Sequence, residues 1–364
     1  MPHLCMKLLF SLFLLTAVQT AAFAAADIAD GKVTFSIKAP KAAEVRLKGQ
    51  WSKEDAALTL GGDGLWSSGA IEVPAGVWEY SFQVDGLNVL DPQNTAIKPQ
   101  RMPQKSILHI ASNPPAAWDW QAGIPHGTVH THVFHSKQLG VPREVVVYTP
   151  PGYEKGADKL PLFVLQHGSG DNQRGWTEHG KAHWILDHLI AAGKAKPMIM
   201  VMLDGHPHGM VPRDDKAKRG DSLEAFRKEL FEDALPLVEA NYRVLPGQGS
   251  RAIAGLSMGG WQSLTIGLNA TDRFAYIGSF SGAADTEAVK AAMDDSTGTN
   301  AKLKLLWIAC GKDDFLLERN HTLIDALKAA EVKHEWHETA GDHSWPVWRT
   351  YLTEFLPRLF QDAK

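Results

Sequence analysis

The pattern of hydrophobic and polar residues divides the chain into two regions. Between residues 33 and 110, short apolar segments alternate with polar positions at a period near two, and glycine–aspartate turns at 61–64 and 85–86 interrupt them. This period is typical of half-buried strands joined by hairpins. Several short strands at this spacing predict a small all-β, immunoglobulin-like sandwich domain over residues 27–110.

From residue 124 onward the pattern changes. Apolar runs without alternation, such as LPLFVLQ, PMIMVML and RAIAGL, end in turn residues, and stretches with a helical period lie between several of them. Such runs are typical of buried parallel strands connected by helices. We therefore predict an α/β domain with a mostly parallel sheet over residues 124–364. The Pro- and Ala-rich segment 111–123 is interpreted as a linker.

The first 24 residues have the pattern of a cleaved secretory signal peptide. Lys7 precedes the apolar stretch LLFSLFLLTAV, and Ala22-Phe23-Ala24 provides a small-residue cleavage site. The stretch is too short to span a bilayer, so no membrane insertion is expected. The mature protein is predicted to be periplasmic or secreted.

Charge and cysteine content narrow the classes of partner and site. The 364 residues include 37 Lys and Arg against 41 Asp and Glu, a formal net charge of −4, which gives no basis for predicting a nucleic-acid partner. Of the two cysteines, Cys5 lies in the signal segment and only Cys310 would remain in the mature chain. An internal disulfide or a multi-cysteine metal site is therefore not expected.

Ser257 lies in the sequence GLSMGG, directly between a predicted strand and a predicted helix. In this context a G-x-S-x-G motif is typical of a nucleophile elbow, in which Gly255 and Gly259 leave room for a tight turn. The helix that follows presents free N–H groups behind the serine. We predict Ser257 as a nucleophile and the backbone N–H of Met258 as one donor to a developing oxyanion.

A serine nucleophile requires a base and an acid. His343 lies in a loop after the predicted final strand, and Asp313 and Asp314 follow the strand before it. The order serine, acid, histidine is that of α/β-hydrolases. Neighbouring side chains of an extended segment point to opposite sides, so only one of the two aspartates can reach His343. The second oxyanion donor is predicted to be the N–H of Ser169, with Gly168 as the alternative.

The catalytic region resembles the feruloyl-esterase branch of carbohydrate esterase family 1, with its relatives of esterase D and enterochelin esterase. The matching segments are VVVYTPPGYEKG, LPLFVLQHGSGDNQRGW, RAIAGLSMGGWQSLTIGL and GDHSWPVWR. This resemblance implies an α/β-hydrolase fold, Ser257 as nucleophile, His343 as base, and no metal or cofactor. The family pattern G-x-x-D-F falls on Gly311, Asp314 and Phe315, which selects Asp314 as the acid.

The N-terminal strands resemble an early-set, isoamylase-N-terminal module of the type also classed as CBM48. The segments FSIKAPKAAEVRLKGQWS, GLWSSGAIEVPAGVWEYSFQVDG and LDPQN carry this likeness. Such modules either bind glycans or only pack against their enzyme, and both alternatives remain open.

Several further residues are candidates for the site. His206 follows a predicted strand at the active-site edge and is expected to line the substrate pocket, and Trp345 is the aromatic residue placed best to contact substrate. The charged segment 212–222 is expected to be a loop. The His130/His132 pair would place both rings on one strand face, where a metal is conceivable, although surface or packing roles are favoured.

The sequence therefore predicts a secreted serine carboxylic-ester hydrolase that acts on esterified plant polysaccharide or oligosaccharide such as xylan, releasing ferulate or acetate. A ferric siderophore esterase is the alternative, and a basic pocket would favour it. A glycan-binding protein with an inactive esterase fold is a third hypothesis, which the intact set of three residues disfavours.

Overall fold

The structure, a computed structural model, describes residues 26–29, 31–212 and 214–361. The predicted signal peptide over 1–24 lies outside these residues. Within the described ranges, no helix combines the length and the apolar character needed to cross a membrane.

The N-terminal region is all-β and forms two antiparallel sheets. One sheet has the order β1-β2-β6-β5, and the other has the order β4-β3-β7-β8 with β9 also paired to β7. The strands are β1 (Asp27–Ala29), β2 (Lys32–Lys38), β3 (Val45–Gly49), β4 (Ala56–Ala57), β5 (Thr59–Leu60), β6 (Leu65–Glu72), β7 (Gly76–Val84), β8 (Leu87–Val89) and β9 (Ser106–Ile110).

These two sheets pack against each other through the apolar side of each strand. Phe35 of β2 and Tyr80 of β7 come from different sheets, and their ring centroids lie 5.0 Å apart in an edge-to-face arrangement. The alternation in β3 places Val45 and Leu47 in the same core, as the period of two predicts. The predicted all-β character of this region is therefore confirmed.

The rest of the described chain is built around an eight-stranded sheet of order β10-β11-β13-β12-β14-β15-β16-β17. From β13 to β17 all neighbouring strands are parallel, and β10 and β11 extend one edge as antiparallel strands. The strands are β10 (Thr128–Ser136), β11 (Val141–Thr149), β12 (Leu162–Gln166), β13 (Ile199–Leu203), β14 (Arg251–Leu256), β15 (Tyr276–Phe280), β16 (Leu305–Gly311) and β17 (Glu335–Thr339). The prediction of a mostly parallel sheet is confirmed.

Helices cover both faces of this sheet. They are α1 (Ala182–Ala191), α2 (Lys216–Lys228), α3 (Leu235–Asn241), α4 (Met258–Leu268), α5 (Lys290–Asp294), α6 (Ser296–Lys302), α7 (Leu317–Ala329) and α8 (Trp345–Phe355). A π-helical segment, Glu229–Ala234, joins α2 to α3, and a second, Gly175–His179, precedes α1. Single 3-10 turns occur at Tyr153–Lys155, Gln248–Ser250, Glu287–Val289 and Leu356–Arg358.

The strands contribute alternate side chains to two separate cores, one on each face of the sheet. In β11, Val145 and Val147 lie in the core that α2, α3, α4 and α7 cover. Val146 and Tyr148 lie in the opposite core, which α1 and α8 cover. Burial on both faces explains why these strands read as continuous apolar runs in the sequence.

Four loops meet at the carboxyl ends of the parallel strands. They follow β12, β14, β16 and β17, and they carry Ser169, Ser257, Asp314 and His343 respectively. In open α/β sheets this edge is where ligands bind. Residues that are far apart in the sequence are therefore brought to one end of the sheet.

Candidate active site

Ser257 occupies a strained turn between β14 and α4. Its φ of 50° and ψ of −114° are unusual for a residue with a side chain. A Cβ at Gly255 would lie 2.6 Å from the carbonyl carbon of Gly259, and one at Gly259 would lie 2.5 Å from the carbonyl oxygen of His167. Glycine is therefore required at both positions for the turn to close as tightly as it does.

The hydroxyl of Ser257 and the imidazole of His343 are within hydrogen-bond distance. The hydroxyl donates to His343 Nε2 at 2.8 Å. The opposite ring nitrogen, Nδ1, donates to the Asp314 carboxylate at 2.8 Å to Oδ2 and 3.0 Å to Oδ1. The bond to Asp314 fixes the tautomer that leaves Nε2 free to accept the serine proton.

Asp314 is held as an anion in the interior. It is 4% exposed, and burial by itself raises the pKa of its carboxyl. Hydrogen bonds from His343 and from the Leu316 N–H outweigh burial, so the pKa is lowered from its ordinary value. The neighbouring Asp313 is exposed, and its backbone N–H donates to the Gly341 carbonyl at 3.0 Å. Of the two aspartates, the structure brings Asp314 to His343.

Cys310 lies at the end of β16, four residues before Asp314. Burial and the charge of Asp314 raise the pKa of its thiol to about 12. The thiol therefore stays protonated, and thiolate chemistry is not expected here.

The two predicted oxyanion donors lie beside the serine. Ser169 and Met258 line the same cavity as Ser257. Met258 is the first residue of α4, so its N–H has no acceptor within the helix. The loop that carries Ser169 packs tightly against the elbow, because a Cβ at Gly168 would lie 2.5 Å from the Leu256 side chain.

His206 lines the cavity, and one of its ring nitrogens serves the loop that carries Ser169. Its Nε2 accepts the N–H of Gly170 at 3.0 Å. Burial, with smaller contributions from His167 and Arg101, lowers the pKa of His206 to about 4 against a raising effect of Asp204. The ring is neutral near pH 7 and keeps its acceptor nitrogen.

The cavity has a volume of about 280 Å³ and two kinds of wall. Apolar side chains come from three different segments of the chain, namely Val211, Met258, Trp261, Phe315 and Leu316. Phe315 also packs against His343, with ring centroids 4.4 Å apart. The polar wall is formed by Ser222, Gln262, Arg219 and Arg319, besides Ser169, Ser257 and His206.

Sequence reasoning missed Arg219 and Ser222 because it predicted a loop over 212–222. Helix α2 instead begins at Lys216, and the Asp215 side chain caps it by accepting the Lys218 N–H at 3.0 Å. The aspartate before a polar helical stretch was the signal that would have placed this helix start. The guanidinium of Arg219 lies 4.5 Å from the Trp261 ring centroid.

The prediction that Trp345 contacts substrate is wrong in this structure. Trp345 is 2% exposed and is not among the residues that line the cavity. Its ring packs against Trp176 at 5.0 Å and His179 at 4.8 Å between centroids. As the first residue of α8 it points into the core, so its closeness to His343 in the sequence does not bring it to the pocket.

The histidine pair on β10 has hydrogen-bond partners of its own. His130 Nε2 lies 3.0 Å from the Thr149 hydroxyl, and His132 Nε2 lies 2.5 Å from the Tyr242 hydroxyl. Both rings also contact the Tyr242 ring edge-to-face. These contacts correspond to the packing interpretation of the pair.

A family model named Esterase and described as "Putative esterase" matches residues 136–359, more than half of the chain. The chain belongs to the Esterase family. The predicted resemblance is thereby confirmed at the level of the family, and membership supports the predicted class of enzyme, a carboxylic ester hydrolase.

Curated relatives of this Esterase family member include two proteins with xylanase names. An endo-1,4-beta-xylanase/feruloyl esterase from Xylanibacter ruminicola is 29% identical over 341 residues, 91% of this chain and 45% of that protein. Endo-1,4-beta-xylanase Y from Acetivibrio thermocellus is 23% identical and covers 66% of this chain and 24% of that protein. The chain spans less than half the length of both. An acetyl esterase from Caldicellulosiruptor saccharolyticus is 27% identical and covers 60% of this chain and 93% of that protein.

Solved structures share the fold of this member of the Esterase family. A ferulic acid esterase from Anaeromyces mucronatus, solved with ferulic acid, has a TM-score of 0.61 at 23% identity and covers 71% of this chain and all of that chain. The enterobactin esterase from Shigella flexneri has a TM-score of 0.62 at 17% identity and covers 93% of this chain and 96% of that chain. At these identities the likeness concerns the fold, and it confirms an α/β-hydrolase-like architecture.

The glycine elbow of this chain is expected to tolerate no side chain at position 259. In a Gly259→Ala variant the new Cβ would meet the carbonyl oxygens of His167 and Gln166 at 2.5 and 2.6 Å. Overpacking of this kind costs about 1–3 kcal/mol or displaces the turn. We expect a lower melting temperature together with reduced ester hydrolysis. Gly249→Ala is the matched control, because its nearest neighbour, the Lys304 side chain, is 3.8 Å away. Equal behaviour of the two variants would contradict the steric argument.

Proposed function

We propose that this protein is a serine carboxylic-ester hydrolase that releases ferulate or acetate from plant cell-wall polysaccharide such as xylan. One observation carries the proposal. Ser257 Oγ, His343 and Asp314 form a continuous hydrogen-bonded series, with 2.8 Å between Oγ and Nε2 and 2.8 Å between Nδ1 and Oδ2. This series opens into a cavity that also contains the two oxyanion candidates.

The geometry supports a two-step acyl transfer. Ser257 Oγ attacks the ester carbonyl carbon while its proton passes to His343 Nε2, and Asp314 stabilises the imidazolium that forms. The N–H groups of Ser169 and Met258 donate hydrogen bonds to the negatively charged tetrahedral oxygen and stabilise it. The alcohol then leaves with the proton from Nε2. Water, deprotonated by the same nitrogen, attacks the acyl-enzyme and releases the acid.

The walls of the cavity support an aromatic or small acyl group. The aromatic side chains of Trp261 and Phe315 line the same cavity as Ser257, and aromatic walls suit a planar hydroxycinnamoyl group. An engineered cavity of about 150 Å³ is known to hold benzene, so about 280 Å³ is ample for a substituted ring. The names of the relatives, which include a feruloyl esterase and an acetyl esterase, point to the same two acyl groups.

The test is a comparison of products. Purified protein is incubated with feruloylated xylan oligosaccharide, acetylated xylan oligosaccharide and a cyclic tri-ester of a catecholate siderophore, and released acids are quantified by chromatography. We expect release of ferulate or acetate at rates well above that of the siderophore lactone. Preferential opening of the lactone would replace this proposal with the siderophore alternative. Retention of polysaccharide without hydrolysis of any ester would favour an inactive glycan-binding protein.

A basic cavity wall is the observation that favours the siderophore esterase as second candidate. Arg219 and Arg319 line the cavity, and no carboxylate is found among the lining residues of the described chain. A ferric catecholate is strongly anionic, and guanidinium groups bind such ligands with charge-assisted hydrogen bonds.

Replacing Arg319 is expected to separate the two candidates. If the Arg319 guanidinium binds an anionic group of the substrate, the Arg319→Ala variant should bind an anionic ester more weakly. We expect its KM for 4-nitrophenyl hemisuccinate to rise about three- to tenfold and its KM for 4-nitrophenyl acetate to stay unchanged. Lys328→Ala is the control, because Lys328 is an exposed cation on the same helix α7 but lies outside the cavity lining. Equal KM changes for the two esters would exclude anion recognition by Arg319.

We also infer the architecture and location that accompany this activity. Residues 27–110 form an immunoglobulin-like module of the CBM48 type, 111–123 connect it to the esterase domain over 124–364, and a cleaved signal peptide directs the protein to the periplasm or the medium. The two packed sheets and the Lys7-to-Ala24 pattern support this division.

A further inference from the structure

A segment of the N-terminal all-β region lies directly against the loop that carries Ser169. The segment consists of residues 98–101, between β8 and β9. The Arg101 N–H donates to the Gly170 carbonyl at 2.9 Å, and Gln100 pairs with Asp171 as an antiparallel bridge. The backbone of the N-terminal region is thus hydrogen-bonded to the loop that follows β12 and carries Ser169.

The side chain of Arg101 fixes a second loop of the site. Its Nη2 donates to Asp204 Oδ2 at 2.5 Å and to the His206 carbonyl at 2.8 Å. Arg143 of β11 also holds this turn, donating to the Asp204 carbonyl at 2.6 Å. The side chain of Arg101 is 29% exposed and that of Asp204 is 15% exposed, so this ion pair is only partly screened by water.

The turn that Arg101 holds, residues 204–206, is hydrogen-bonded to the loop that carries Ser169. The His206 N–H donates to Asp204 Oδ1 at 3.0 Å, and His206 Nε2 accepts the Gly170 N–H at 3.0 Å. Both hydrogen-bonding groups of Gly170 are therefore fixed, its carbonyl by the backbone of Arg101 and its N–H through His206. Gly170 has a positive φ of 86°, so this peptide is oriented by its partners in a conformation that side-chain-bearing residues rarely adopt.

A second contact fixes the N-terminal region to the histidine side of the site. Arg349 of α8 donates to the Val77 carbonyl of β7 at 2.8 Å and to the His179 carbonyl at 3.3 Å. Arg349 is 2% exposed, and a buried guanidinium of this kind is costly to separate from its acceptors. Because α8 begins two residues after His343, the N-terminal sheets also contact the helix that follows the His343 loop.

We propose that Arg101 is a positioning residue for the oxyanion loop, and that the N-terminal sheets are thereby part of the catalytic unit. Arg101 touches neither Ser257 nor His343. It acts through Gly170, Asp204 and His206 to place the Ser169 N–H. The proposal rests on the proposed function, because it assumes that Ser169 donates to an oxyanion. Removal of one oxyanion donor typically costs 10²–10³ in kcat, and displacement by about 1 Å costs up to 10².

The test compares Arg101→Ala and Arg101→Lys with Arg46→Ala, using a 4-nitrophenyl ester. Arg46 is an exposed residue of β3 in the same N-terminal region, and among the described residues its ion pair is with Glu44. We expect kcat of Arg101→Ala to fall about 10- to 100-fold with KM within twofold of wild type, partial recovery in Arg101→Lys, and no change in Arg46→Ala. Hydrogen exchange of a peptide over 162–176, read by mass spectrometry, should become faster in Arg101→Ala, faster to a smaller extent in Arg101→Lys, and stay unchanged in Arg46→Ala.

These readouts separate the proposal from the proposed function. Normal kcat, or a loss confined to KM, in Arg101→Ala would overturn the positioning role while leaving the esterase assignment intact. If wild type hydrolyses no ester, the proposed function fails, and the hydrogen-exchange comparison still decides whether Arg101 orders the loop. Should Arg101→Ala melt well below wild type, the comparison is made with Arg101→Lys, and unchanged kcat and exchange in that variant count against the proposal.

Discussion

A Ser257→Ala variant is expected to lose ester hydrolysis by about three to six orders of magnitude in kcat, with little change in KM. Without Oγ no acyl-enzyme can form. His343 Nε2 loses the hydroxyl that lies 2.8 Å away in the wild type, and it has only water to deprotonate. Residual activity would come from the oxyanion donors and from binding alone. The loss should appear in kcat because the hydroxyl contributes little to the binding of the ground state.

The measurement is steady-state hydrolysis of a 4-nitrophenyl ester, together with a melting curve. Ser263→Ala is a matched control, because Ser263 is a buried serine of the same helix α4 whose hydroxyl has no hydrogen-bond partner in the described part of the chain. The control should keep wild-type kcat. A Ser257→Ala protein with more than about a thousandth of wild-type activity would reject Ser257 as the nucleophile.

The second large effect is expected from Asp314→Asn, which should lower kcat by about 10⁴-fold. The amide cannot stabilise the imidazolium, and it favours the tautomer in which Nε2 carries the proton. Asp313→Asn is the paired control, because Asp313 is exposed and its carboxylate makes no contact with His343 in the described structure. We expect Asp313→Asn to stay within about twofold of wild type.

The comparison is decided by relative kcat at pH 7 for the two variants. The pKa of Asp314 is lowered in the fold, so its charge contributes to stability above its ordinary pKa, and this contribution is lost as the pH falls through the lower folded value. Melting curves at pH 7 therefore accompany the kinetics and separate a loss of charge stabilisation from a loss of chemistry. A larger loss in Asp313→Asn than in Asp314→Asn would reverse the assignment of the acid.

The positions of Ser257 and His343 could be predicted because the sequence patterns that indicate them are local or follow the order of elements along the chain. Gly255 and Gly259 mark the elbow by steric necessity, and parallel strands always end at the same edge. The choice between Asp313 and Asp314 was already harder, since the residues alone showed only that one of them can face His343. The family pattern selected Asp314, and the structure places that carboxylate 2.8 Å from Nδ1.

The lining of the cavity was less predictable because it depends on side-chain direction and on contacts distant in sequence. Trp345 is two residues from His343, yet it begins α8 and points inward. Phe315 follows Asp314 and lines the cavity. The contact between Arg101 and Asp204 spans 103 positions, and no periodicity within either segment indicates it.

The conformation of Ser257 has a consequence for the energetics of the native state. A residue with a side chain at φ 50° and ψ −114° carries unfavourable torsional free energy of about 1–3 kcal/mol, which packing elsewhere must offset. Glycine would relieve that strain and has no hydroxyl. Selection for thermal stability alone would therefore discard the nucleophile, and only selection for turnover retains it.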